Sequence, residues 1–229
     1  MSRRVVAIHG AVVNGAAWRP LRRALGARFA VEAPDLPGHG ARIGERFDLP
    51  LAVDELVARC RAGEPPIVCG DSLGGYLALL VAARASVAAV VAGGCTFPLH
   101  GWWSRIARAT DVPLPDRVGR LAVRAIARGA RVRGDGDAVL AAGIAPAQRS
   151  LTLRALFGID YPALAGTIVA PLTFIDGAFD PARIGAHAYR RAAPRARFVV
   201  VPNAGHGVGF LRPAAMAREI ARIATPEER

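Results

Sequence analysis

The stretch VCGDSLGGY at 68–76 sets a serine among glycines, at the point where an apolar run, PIVCG, gives way to the helical pattern YLALLVAA. A tight strand-to-helix turn tolerates no bulky neighbours. Gly70, Gly74 and Gly75 therefore leave Ser72 projecting, and the free N–H groups at the start of the helix favour an anion beside it. A serine hydroxyl is a weak nucleophile at neutral pH, so it needs a base to take its proton and an acid to orient that base. His206, in NAGHG at 203–207, is the candidate base, and the acid is Asp176 or Asp180, both in FIDGAFDP at 174–181. Asp180 can also cap a helix that begins at Pro181. Asp71 stands one residue ahead of the serine, and its side chain should leave the turn in another direction. That suits it to hold the turn by hydrogen bonds rather than to attack.

These residues meet only if a fold collects them on one edge. Six apolar runs read as strands: 4–10, 28–35, 66–70, 87–94, 171–176 and 196–202. They are apolar throughout rather than alternating, the pattern of strands buried on both faces of a parallel sheet. Helical patterns over 18–25, 50–62, 73–84, 181–193 and 213–224 fall between them. The chain is thus expected to be α/β, a mostly parallel sheet of about six strands flanked by helices. Ligands bind beyond the carboxyl ends of such strands. The residues found there are His9-Gly10-Ala11, Asp35, Ser72, Gly93-Gly94-Cys95, Asp176 to Asp180, and His206. From Phe97 to Tyr161 no strand is legible, and sixty-odd structureless residues are rare in a compact domain. The expected organisation is a core of residues 1–96 and 162–229 with a helical cap, 97–161, inserted before the acid-bearing strand.

The motifs, taken in order, resemble the α/β-hydrolase superfamily. HGAVVNGAAW gives an HG-x7-W opening after the first strand, and APDLPGHG, GDSLGG, DGAFDP and PNAGHG follow in the family's order. The first strand here is read as the family's third. By position the resemblance implies Ser72 as nucleophile, Asp180 as acid and His206 as general base, in the chain order the fold uses. It also implies an oxyanion hole from the N–H groups of Ala11 and Leu73. Trp18 matches the family tryptophan and is expected to pack behind the oxyanion loop. It joins Phe97, Trp102, Trp103, Phe157, Phe179 and Val208 as candidates for the substrate-binding surface. His9 and His39 belong to loops that shape the site. The four letters GDSL also spell the block of the SGNH esterases, but that family carries its acid and base as D-x-x-H, and Asn203 stands three residues before His206.

Net charge is +12, and all 30 basic residues other than histidine are arginine. Absence of lysine in an Ala-, Gly- and Arg-rich chain reflects GC-rich codon usage. The few aromatics are not interleaved with arginine as a nucleic-acid platform requires, so no nucleic-acid partner is expected. No apolar run approaches a membrane span and no signal-peptide pattern opens the chain, so a cytoplasmic protein without a membrane partner is expected. Cys60, Cys69 and Cys95 lack metal-like spacing, and neither metal nor cofactor is expected. Arg117, Arg120, Arg124, Arg128 and Arg131 recur at helical spacing in the cap. They form either a solvated face or a dock for an acidic partner such as an acyl carrier protein or acyl-CoA. The expected activity is hydrolysis of a carboxylic ester or thioester through an acyl-enzyme on Ser72. Two alternatives use the same residues: a non-hydrolytic lyase, cyclase or acyl transferase, and a receptor-like binding protein with a relict triad.

Overall fold

A computed structural model describes residues 2–109, 111, 115–129 and 133–224, apart from the side chains of Trp103, Ile106 and Arg133. Arg131 lies outside the described residues. The six strands are β1 (Arg3–Ile8), β2 (Phe29–Glu32), β3 (Ile67–Asp71), β4 (Ala89–Gly93), β5 (Leu172–Gly177) and β6 (Arg197–Val201). All pair in parallel, in the order β2-β1-β3-β4-β5-β6. Each expected run coincides with one strand: β2, β4 and β6 are shorter at both ends, whereas β1 starts one residue earlier and β3 and β5 each run one residue further. β2 stops at Glu32, ahead of Pro34, which has no N–H to give to a ladder.

The helices are α1 (Arg19–Leu25), α2 (Leu49–Arg61), α3 (Leu73–Ala82), α4 (Gly101–Ala109), α5 (Asp116–Gly129) and α6 (Arg133–Ala141). They continue with α7 (Arg149–Leu156), α8 (Tyr161–Thr167), α9 (Ala186–Ala192), α10 (Val208–Leu211) and α11 (Pro213–Ala224). The segment expected as one helix over 181–193 is a 3-10 stretch, Pro181–Gly185, followed by α9. The Asp180 carboxylate caps its start by accepting the N–H of Ala182. None of the described helices is long and apolar enough to cross a membrane.

Successive strand residues serve two different cores. Val6, Ile8, Val68, Val90, Ala92 and Phe174 pack with Leu56, Tyr76, Leu77 and Tyr189, from α2, α3 and α9. Val5, Ala7, Ile67, Cys69, Val91 and Ile175 pack with Leu21, Met216 and Ile220, from α1 and α11. Burial on both faces is what makes the strands read as unbroken apolar runs. Between β4 and β5 the described residues contain helices and no strand. Leu156 and Tyr161, at the far end of that insertion, are wholly buried in the first core. Val123 of α5 and Val139 and Leu140 of α6 form a separate small cluster on Ala17, flanked by Val13, Ala16 and Phe210.

Strand order reverses between β1 and β3: the chain steps outward to β2, then returns across β1 to build the rest of the sheet. The loops leaving β1 and β3 diverge there, opening a crevice at their carboxyl ends. Behind it α3 lies unusually close to β1. A Cβ at Gly74 would fall 1.9 Å from the carbonyl oxygen of Ile8 and 2.9 Å from that of His9. Both obstacles are backbone, so Gly74→Ala must lift α3 from the sheet. It is expected to lower unfolding free energy by about 3 kcal/mol, read from a urea denaturation midpoint. An unchanged midpoint would show that the close approach is not needed.

Candidate active site

Ser72 stands between β3 and α3 with φ 56° and ψ −117°, a left-handed conformation that a residue with a Cβ adopts only under constraint. Its N–H donates to the carbonyl of Gly93 at 2.8 Å, which fastens the turn to the end of β4. Gly70 lets the following helix fold back, since a Cβ there would sit 2.1 Å from the carbonyl oxygen of Gly74. The N–H of Leu73 opens α3 and has no carbonyl one turn earlier to reach. Gly10 lies alongside, where a Cβ would touch Ser72 Cβ at 3.6 Å. The loop after β1 and the serine therefore face each other across the crevice.

The two candidate acids separate by partner. Both carboxylate oxygens of Asp180 lie 3.0 Å from His206 Nδ1, and Oδ1 also accepts the N–H of Ala182 at 2.8 Å. Asp176 instead accepts from the N–H of Gly94 at 3.0 Å and from the Thr96 hydroxyl at 3.1 Å. A carboxylate on Nδ1 holds the proton there and leaves the Nε2 lone pair free to accept another. The Asp180 side chain is wholly buried, whereas that of His206 is 48% exposed. Desolvation opposes charge on His206, but the hydrogen bond and charge of Asp180, then the charges of Asp71 and Asp176, outweigh it. The imidazole is held above its ordinary range. The ring rests against Gly94, at φ 58°, where a Cβ would approach its Cε1 to 3.0 Å.

Buried histidines shape the loop after β1. The N–H of Leu36 donates to His9 Nε2 at 3.1 Å, so the proton of this imidazole sits on Nδ1, which donates to the carbonyl of Gly10 at 2.9 Å. Turning that carbonyl toward His9 turns the N–H of Ala11, on the opposite side of the same trans peptide, away from it. Burial, aided by the neighbouring His39, pushes His9 down to about 3, so it stays neutral at any working pH. His39 lies between the carbonyls of Pro37, at 2.9 Å, and Ala11, at 3.0 Å. Asp35 joins the same loops, accepting from the N–H groups of Gly15 at 2.7 Å and Ala41 at 2.8 Å.

Asp71 is buried beneath the elbow. Its Oδ2 accepts the backbone N–H of Gly209, and its Oδ1 has no hydrogen-bond partner. Trp18 is 2% exposed and packs against Gly209, and Val208 is wholly buried, so both back the wall rather than face the crevice. Phe97 and Phe157 are half-buried against the first core, with the Arg108 guanidinium 4.4 Å over the Phe157 ring. Phe179, beside the acid, is 74% exposed, and Trp102 is 60% exposed. Trp103 lies in α4, but its side chain is outside the described residues. Arg117, Arg120, Arg124 and Arg128 are exposed along α5.

Asn14 was not singled out by sequence, yet its buried amide donates to the carbonyls of Val139 at 2.9 Å and Gly143 at 2.8 Å. Its Oδ1 accepts the N–H of Ala16 at 3.1 Å, so one side chain ties the loop after β1 to α6. The only signal for it in the sequence is a capping residue ahead of a short helical turn.

The profile of the Alpha/beta hydrolase family matches residues 5–219. A pimeloyl-[acyl-carrier protein] methyl ester esterase from Stenotrophomonas maltophilia (strain K279a) is 40% identical over 80 residues, 34% of this chain and 30% of that protein. The match thus spans under a third of that relative's length. Among solved structures, the enol-lactonase from Burkholderia xenovorans LB400 superposes with a TM-score of 0.75 at 18% identity, over 98% of this chain and 92% of that one. The thioesterase domain from the curacin biosynthetic pathway superposes with a TM-score of 0.71, also at 18% identity, with the same coverage. At these identities the two superpositions speak for the fold alone.

The backbone at Ser72 supplies a test that needs no substrate. A strained left-handed residue costs on the order of 1–3 kcal/mol, and glycine relieves that strain at a smaller entropic cost. Ser72→Gly is therefore expected to melt higher than Ser72→Ala by the equivalent of about 1 kcal/mol. Equal melting temperatures in calorimetry would mean that the turn carries no strain.

Proposed function

We propose that this chain, which belongs to the alpha/beta hydrolase family, is a serine esterase acting on a carboxylic ester or thioester of a carrier-bound acyl group. The observation that carries this reading is the doubly oriented His206, with Nδ1 on a buried Asp180 and its ring seated at the end of β4, where the N–H of Ser72 is also fastened.

In this mechanism His206 Nε2 takes the Ser72 proton as Oγ attacks the carbonyl carbon. The N–H groups of Leu73 and Ala11 receive the oxyanion of the tetrahedral intermediate. His206 then returns the proton to the departing alcohol or thiol. A water, deprotonated by the same imidazole, attacks the acyl-enzyme and releases the carboxylic acid, restoring Ser72. Asp180 remains a carboxylate throughout and stabilises the imidazolium.

Two observations support the carrier. The relative from Stenotrophomonas maltophilia is named for an ester on an acyl carrier protein. In addition, Arg117, Arg120, Arg124 and Arg128 fall along one side of α5, beside the exposed Leu121. Guanidinium groups suit an acidic protein or a phosphate. In this reading residues 97–161 act as a cap that receives the carrier and shapes the acyl site, with Trp102 and Phe179 on its rim. A carrier-bound substrate also implies a cytoplasmic enzyme.

Ser72→Ala is expected to abolish both labelling by a fluorophosphonate probe and turnover of p-nitrophenyl acetate. Labelling that persists in the variant would refute Ser72 as nucleophile. Asp180→Asn should lower kcat by about 10⁴-fold. Because His206 must be neutral to act and is held above the ordinary 6.5, kcat/KM should rise through a pKa above that value as pH increases. A limb at or below it would contradict the pairing with Asp180. Reversing Arg120 and Arg124 to Glu should raise KM for an acyl-carrier substrate by about tenfold while leaving p-nitrophenyl acetate unaffected. Equal kinetics on the carrier substrate would remove the docking role.

A further inference from the structure

Asp71 is a buried carboxylate for which the triad has no task. It lies immediately before Ser72, yet its Oδ2 accepts the N–H of Gly209, 138 residues on in sequence and three beyond His206. Gly209 is itself enclosed. A Cβ there would fall 2.7 Å from that oxygen and 2.4 Å from the Trp18 ring, so the backbone is pressed onto the carboxylate. His206 is therefore fixed at two points: its ring by Asp180, and the chain leaving it by Asp71. A buried carboxylate that uses one oxygen and leaves the other unpartnered is costly. An amide or hydroxyl could accept the same N–H without carrying charge into the interior.

The groups facing Asp71 indicate what that charge does. They are His206 from the loop before α10, Asp176 and Asp180 from the end of β5, and the buried thiols of Cys69 and Cys95 from β3 and the end of β4. His206 is the one cation in that set. Burial pushes Asp71 up to about 6, while the histidine and the N–H of Gly209 draw it down. At neutral pH it is ionised, and it adds to the charges that hold His206 high.

We propose that Asp71 is a positioning residue for the base: it clamps the segment after His206 through the N–H of Gly209 and places a buried carboxylate at the root of that segment. This rests on the reading of Ser72, His206 and Asp180 as the triad. The sign follows directly: deleting the charge destabilises imidazolium, so the variant remains active to lower pH.

The test compares Asp71→Asn and Asp71→Ala by pH–rate profiles on p-nitrophenyl acetate, with wild-type and variant proteins checked by thermal melting. Asparagine keeps an oxygen for Gly209. It should retain kcat near neutrality to within about threefold while the acid limb of kcat/KM moves down by about half a pH unit. Alanine strands the N–H and should lower kcat by about 10- to 100-fold with little change in KM. A merely structural carboxylate would leave the acid limb unmoved in the asparagine variant. That result, or a folded alanine variant with wild-type kcat, overturns the proposal, and if alanine does not fold the asparagine profile decides alone. Fluorophosphonate labelling of the wild type at Ser72 separates the two layers. Without it the triad and this proposal fall together; with it, an unmoved limb removes only Asp71.

Discussion

The peptide joining Gly93 to Gly94 is where the chemistry at the sheet edge is held together. Its carbonyl takes the N–H of Ser72 and its N–H goes to Asp176, while the Cα of Gly94 forms the bed on which the His206 ring lies. β4 sits between β3, which delivers the serine, and β5, which delivers both aspartates, so one amide registers three strands against each other. A Cβ beneath the imidazole would press on its Cε1 at 3.0 Å, and the positive φ of Gly94 is a conformation that glycine adopts without strain. The two remaining parts of the site, the loop after β1 and the segment after β6, are fastened onto this frame by buried side chains.

Electrostatically the centre is lopsided. Three buried carboxylates, Asp71, Asp176 and Asp180, surround one half-exposed imidazole. Burial pushes Asp71 and Asp176 up to about 6 each, and mutual repulsion with Asp180 adds to that. Backbone N–H groups offset the cost: Gly209 for Asp71, Gly94 for Asp176 and Ala182 for Asp180. Each carboxylate therefore carries two jobs, bending a loop to its N–H group and contributing charge that favours a protonated base. The same side chains that close the loops also set the field at the imidazole.

The sheet was legible because burial on both faces leaves Val, Ile, Leu, Ala and Phe no gaps, and the elbow was legible because tight turns demand glycine at fixed offsets. The pairing of acids was not legible from residue types. Asp176 and Asp180 are both suitable carboxylates in one loop, and what separates them is Thr96 and Gly94, some 80 residues earlier in the chain. Asp71 posed the same difficulty, since its partner is a backbone N–H that no residue type announces. Trp18 and Val208 lie near the site by sequence, yet packing turns them inward; a motif fixes position along the chain but not which way a side chain faces. Asn14 was passed over because a polar residue in a loop ordinarily faces water, whereas here α6 descends onto it.

Asn14 links the insertion to the loop after β1 more tightly than packing alone would. Its amide donates one N–H to Val139 within α6 and one to Gly143 just after it, its oxygen accepts from the next turn of its own loop, and the N–H of Ala145 adds a bond to the carbonyl of Val12. The loop that carries Ala11 is therefore bonded directly to α6 and the turn that follows it. In the proposed mechanism, an acyl group that displaced α6 would therefore also displace the Ala11 amide. Under the proposed esterase reading, substrate size and carbonyl activation would then act through a single lever, and a poorly fitting acyl group would be penalised in turnover rate as well as in affinity.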